Sequence, residues 1–240
     1  MPMPKERKGP ERAEGLLQEG ILAKEKKNFG SAASYFTEAI IFSQENGYPH
    51  GVLHGLLNMG TIWSLKAQAT GMKAFTRLAK ITFLQAQDYA REEHMQEEEV
   101  MHTTYLLAQA EYDLGDFSKA VDLYRQVYGF HATHPFSKAR TGDVQRHLGI
   151  ALIKAGSRQE GIAALDASLA AIRTYDEKDA FDKRNYVWEA GALLALSVAY
   201  SATDPGKAQE YAKEALTVAM THDLTIRKEE AEKQLQTLQD

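Results

Sequence analysis

Three groups of histidines have spacings that chemistry uses. His94, Glu98 and His102 recur every four residues, which on one unbroken helix would stack three metal-ligand types on a single face. His50 and His54, in "HGVLH", repeat that interval but lack the glutamate of a zincin motif. His131 and His134, in "HATH", fall just before Pro135, where a turn is expected. Cysteine is absent, which removes disulfide frameworks, thiolate nucleophiles and zinc–thiolate sites together. There is no phosphate-cradling loop and no nucleophile elbow, and the many acids form no legible general acid–base pair. What the histidines do therefore depends on the elements that carry them.

The 240 residues are 44% apolar and 25% charged, with 28 Lys and Arg against 33 Asp and Glu, a net charge of -5. That length allows one or two domains with an adequate core. Mild acidity argues against a nucleic-acid partner, which would require a basic stripe. No apolar stretch is long enough to span a bilayer, and "MPMPKERKGPERAEG" lacks the apolar run of a signal peptide. The expectation is a cytoplasmic protein without membrane partners. Residues 1–10 hold three prolines and four charges and are expected to form a flexible N-terminus.

From residue 11 onward apolar residues recur with helical period, and β-branched alternation is nowhere sustained. Pro49, Pro135 and Pro205 stand where helices could begin. The chain reads as all-α. Small residues then repeat on a ruler. Gly20 precedes Ala32 by twelve residues, with Phe36 and Ala39 following, and Gly60 precedes Ala79 by nineteen, the interval from Gly20 to Ala39. Ala108, Ala120 and Tyr124 keep the spacing, as do Gly149, Gly161 and Leu165, and Ser197 leads Ala208, Ala212 and Ala215. Where two antiparallel helices cross, glycine or alanine lets the backbones approach and a neighbouring large side chain fills the flank. One such hairpin leaves an apolar face unburied and must stack on the next.

This pattern resembles the tetratricopeptide repeat (TPR) family. The resemblance rests on Leu107, Ala108, Gly115, Asp116, Phe117, Ala120 and Tyr124 in the third unit. Weaker echoes are Gly20, Ala32, Phe36 and Ala39 in the first, Leu148, Gly149, Ala151 and Gly156 in the fourth, and Leu196, Ala199, Tyr200, Ala208 and Ala215 in the fifth. It implies a right-handed α-solenoid of five TPR-like antiparallel helical hairpins, at about 11–47, 49–91, 97–133, 136–176 and 183–222. Residues 223–240 would form a C-terminal capping helix with Ile226, Leu235 and Leu238 toward one side. The family's period is about 34 residues. Here the leading small residues are 40, 48, 41 and 48 apart, so the longer intervals suggest one heptad added to each helix. Met72 stands where a small residue is expected.

In that family the first, or A, helix of each hairpin lines a concave groove. Carried over, the groove residues are Leu17 and Ile21; then His54, Leu57 and Thr61; then His102, Tyr105, Gln109 and Tyr112; then Arg146 and Ile150. Apolar and polar groups with two tyrosines suit an extended or helical peptide, and Arg146 could fork onto a carboxylate or phosphate. The plainer alternative makes several of them inter-repeat packing or solvated surface. Chaperone-tail binders of the family carry Lys and Asn where Leu17 and Ile21 stand, so that clamp is not expected. The resemblance thus implies a non-enzymatic scaffold or adaptor with a protein or peptide partner and no cofactor. A second expectation is a peptide-sensing or helical phosphatase-like regulator in which Gln109 positions a water. A third is a homo-oligomer formed through exposed stack ends.

Repeat arithmetic puts a turn near 91–96, which breaks the His94–Glu98–His102 stripe. Solvated or groove-lining histidines are expected, and no metal. "DYAREEHMQEEE", 88–99, carries six acids against one arginine. It reads as a solvated turn with acids favoured by the next helix's N-terminal dipole, or as a docking patch for a basic partner. Trp63 and Trp188 read as core packing rather than base-stacking platforms.

Overall fold

The computed structural model describes residues 9–134, 138–174 and 183–239. Among these residues all regular structure is helical, in eleven helices. They are α1 (Gly9–Glu25), α2 (Phe29–Glu45), α3 (Pro49–Thr70), α4 (Lys73–Glu92), α5 (Glu97–Leu114) and α6 (Phe117–Thr133). After them come α7 (Lys138–Lys154), α8 (Arg158–Ile172), α9 (Lys183–Tyr200), α10 (Pro205–Thr221) and α11 (Thr225–Thr237). No described helix is long and apolar enough to cross a membrane. The chain forms two compact units, Met1–Asp116 and Phe117–Asp240. Of the flexible terminus expected at 1–10, residues 1–8 lie outside the described residues, as does Pro135, while Gly9 and Pro10 begin α1.

Local chemistry sets the helix ends. Asn28 caps α2 by accepting from the Ser31 amide, and Asp204 caps α10 by accepting from the Lys207 amide at 3.0 Å. Pro49 and Pro205 occupy first-turn positions, where the missing N–H costs nothing. Gly71 and Gly115 end α3 and α5 at φ of 68° and 91°, a backbone state that a side chain disfavours.

In the first unit each helix packs on the next, from α1 to α5. Short turns make the neighbours antiparallel. Gly20 is the notch of the first hairpin: a Cβ there would overlap the ring of Phe36, which is fully buried with Ala32, Ala39 and Ile62. Gly60 is the notch of the second, and the ring that fills it is Phe83. Phe36 follows its glycine by sixteen residues and Phe83 follows by twenty-three, one heptad more. The equal Gly20–Ala39 and Gly60–Ala79 intervals therefore misalign the units: four residues ahead of each ring stand Ala32 and Ala79, both fully buried. Met72 lies outside any notch, exposed just before α4. α3 and α4 have 22 and 20 residues against 17 in α1 and α2, an excess of five and three, so about one heptad is shared by the hairpin and the expected heptad in each helix is not present.

In the second unit Gly149 and Gly161 face each other. A Cβ on Gly149 would stand 2.8 Å from the Gly161 carbonyl oxygen. Ser168 Oγ donates to the Gly142 carbonyl at 2.6 Å, closing α8 onto α7. Leu165, Leu169, Ile172, Leu193 and Leu196 form the core with small residues of α9, α10 and α11. Here heptad addition fails: α7 and α8 have only 17 and 15 residues, and the extra length of the second 48-residue interval falls between Ile172 and Lys183. Helix α11 covers α9 and α10, with Gln234 Nε2 donating to Ser197 Oγ at 3.1 Å. Its inner side runs through Leu224 and Ala231, while Ile226 is 70% exposed, contrary to the expected face. The side of a helix that a neighbour covers depends on the crossing direction as well as on periodicity.

Candidate functional site

Helices α1, α3 and α5 are the A helices of the expected hairpins, and polar side chains link them within the first unit. Tyr48, beside the start of α3, donates from its hydroxyl to Glu14 at 3.2 Å. Lys24 Nζ donates to Asn58 Oδ1 at 2.8 Å; desolvation lowers the Lys24 pKa, with Glu25 opposing. His50 Nδ1 stands 2.8 Å from Glu99 Oε1 and so joins α3 to α5. Beside α1 and α3, a cleft of about 550 Å³ is lined by Lys24, Glu25, Lys27, Phe29, Leu65, Gln68 and Ala69.

The expected groove residues divide by burial. Leu17 and Leu57 are buried, Leu17 within the core around Phe36. Ile21 and Thr61 are half-buried, and Thr61 Oγ1 donates to the Leu57 carbonyl at 2.8 Å. His54 and His102 are exposed. Desolvation lowers the His54 pKa, with Glu99 opposing and His50 adding. Tyr105, Gln109 and Tyr112 are half-buried at i, i+4 and i+7, one face of α5. Gln109 Nε2 donates to the Tyr105 hydroxyl at 3.2 Å. Desolvation, with Asp113 adding, raises the Tyr112 pKa.

In the second unit Arg146 and Ile150 lie on α7. Arg146 is buried, and its Nε and Nη2 both donate to Asp143 Oδ1, at 3.0 and 2.7 Å. That fork is already engaged within its own helix. Ile150 packs on the core of the unit.

The other histidines separate. α4 ends at Glu92 and α5 starts at Glu97, so His94, with φ of 51°, lies in the turn and the His94–Glu98–His102 stripe is broken as expected. His131 is not in a turn: α6 continues through Thr133 and buries it, and only His134 lies beyond, stacked on Phe130 at 3.9 Å between ring centroids. Trp63, expected in the core, is half-buried; it stacks on Phe75 with planes 4° apart, and Lys66 Nζ sits 5.1 Å from its ring. Trp188 packs against the second core.

No protein-family model matches the chain, and no curated protein matches it. Solved structures do. A Podosopora anserina putative kinesin light chain with nearly identical TPR-like repeats is 18% identical, covers 89% of this chain and 98% of its own, and superposes with a TM-score of 0.63. The Rap conjugation gene regulator of plasmid pLS20, solved with the Phr* peptide, is 15% identical over 90% of this chain and 56% of its own, with a TM-score of 0.66. NprR in complex with its cognate peptide NprX is 13% identical over 98% and 62%, with a TM-score of 0.64. This chain has the TPR-like fold. It spans a little over half the length of the two peptide-bound regulators.

Within the TPR-like frame, two features escaped sequence reasoning. Glu111 on α5 is fully buried and receives Lys80 Nζ of α4 at 2.9 Å. Its signal was an acid three residues from Ala108 on an apolar stripe, where a charge requires a partner. Glu99 was read only as one of a run of helix-start acids, yet it meets His50 across two helices.

Proposed function

We propose that this chain is a non-enzymatic scaffold holding a peptide or helical segment of a partner protein. In the first unit the contacts are Ile21, His54, Thr61, His102, Tyr105, Gln109 and Tyr112, with Leu17 and Leu57 supporting them from within. Arg146 and Ile150 of α7 are left out of this reading, because Asp143 holds the Arg146 fork and Ile150 packs on the core of the second unit. One observation carries the reading: Tyr105, Gln109 and Tyr112 share a half-buried face of α5, where tyrosines offer contact area with few rotamers to freeze. Two TPR-like structures of the same fold hold peptides, the Rap regulator with Phr* and NprR with NprX, which supports a peptide as ligand. A peptide array followed by titration tests it. Tyr105→Ala and Tyr112→Ala should each weaken the selected peptide by at least about tenfold. Full binding in both variants removes the groove assignment.

The likeness to the two peptide-bound structures supports a second reading, a peptide-sensing regulator, of which a phosphatase-like form is the variant that Gln109 would serve. Gln109, held by Tyr105, would then orient a water. Phosphoaspartate hydrolysis assayed with response regulators separates the readings: turnover abolished by Gln109→Ala favours the regulator.

A further inference from the structure

We propose that His50, His54 and Glu99 form a divalent-metal site, suited to Zn²⁺, which ties α3 to α5. The two histidines lie one turn apart on α3, the i, i+4 spacing that points two imidazoles at one ion. The third ligand comes from the first turn of α5, and the ligand atoms of all three residues lie within 4.8 Å of one another. A tetrahedral ion with bonds of about 2.0–2.1 Å holds its ligands about 3.4 Å apart. Small side-chain rotations at the exposed histidines close that difference. His54 is also one of the proposed peptide contacts, but the metal site is argued from the geometry of these three residues alone and is tested without peptide.

Three further observations fit a metal. Glu99 is held in place, because its second oxygen accepts from the Gln96 amide at 3.1 Å in a capping box, leaving the first turned to His50. Both histidines are exposed, so an ion reaches them from solvent. The corner from 88 to 99 has six acids against one arginine, a field that concentrates cations there. Two imidazoles and one carboxylate without thiolate suit Zn²⁺ and leave a coordination position for water or a partner's carboxylate. When an ion takes His50 Nδ1, the neutral imidazole carries its hydrogen on Nε2 instead, and the carboxylate oxygen turned to Nδ1 turns to the ion.

The test uses the full chain without a histidine tag, stripped with chelator and titrated with Zn²⁺ by calorimetry, with Co²⁺ absorption as a spectroscopic check. One equivalent of Zn²⁺ should bind. His50→Ala and His54→Ala should each weaken it by at least about tenfold, and Glu99→Gln, which keeps an acceptor for the cap, should do the same. His94→Ala should leave it unchanged, and circular dichroism should show every variant helical. Absence of Zn²⁺ binding in the wild-type chain overturns the site, as does binding retained in the His50→Ala/His54→Ala double variant.

Discussion

At the scale of single residues, two ionisable groups make sharp tests. His147 stacks on Tyr124, and its Nε2 lies 2.6 Å from Arg146 Nη2. A guanidinium only donates, so Nε2 accepts and the imidazole is neutral. Desolvation first, then Arg146 and Arg227, holds the His147 pKa well below the usual histidine value. Because the folded pKa is depressed, this contribution to stability is full above the unfolded value of about 6.5 and is lost as pH falls below it. Urea midpoints should drop between about pH 7.5 and pH 5, and His147→Gln should flatten part of that drop. The Lys80–Glu111 pair gives the second test. Lys80→Met leaves a carboxylate buried opposite an apolar side chain and should cost about 3 kcal/mol in urea unfolding. The double change Lys80→Met/Glu111→Leu should recover much of that loss.

At the scale of elements, the crossing of paired helices depends on the missing Cβ of a notch glycine. Gly60→Ala drives a methyl into the Phe83 ring and should cost about 1–3 kcal/mol. Gly15, in α1, has nothing near the position its Cβ would take, so Gly15→Ala should instead stabilise by about 0.5–1 kcal/mol through helix propensity. Opposite signs in the two thermal shifts would separate close packing from propensity; a neutral Gly60→Ala would remove the notch as the organising contact. These notches were legible because small residues recurring at repeated intervals are a pattern in the text itself. Their partners were less so, since Gly60 meets Phe83 only because α3 and α4 are each longer.

At the scale of the whole molecule, α11 covers apolar surface that an open stack would expose. Ala231 is fully buried beside Leu193 and Leu196 of α9, so Ala231→Glu sets an unpaired charge against that core. The variant should lose its α11 packing and associate, seen as a rise in scattered mass over the wild-type chain; an unchanged mass and melting curve would mean that α11 is dispensable.

What the sequence by itself determined was local: helices, the prolines at two of their starts, the broken histidine stripe near 91–96, the small-residue notches and the TPR-like class. Each of these depends on residues within a few turns of one another, where propensity and periodicity act. Tertiary structure alone decided the heptad shift that places Phe83 in the Gly60 notch, the burial of Glu111 against Lys80, the inward side of α11, and the meeting of His50 with Glu99. Those outcomes depend on how long each helix runs before it turns and on where its neighbour crosses. Residues far apart in the chain become neighbours only when the helices stack, and no spacing within one helix encodes that distance.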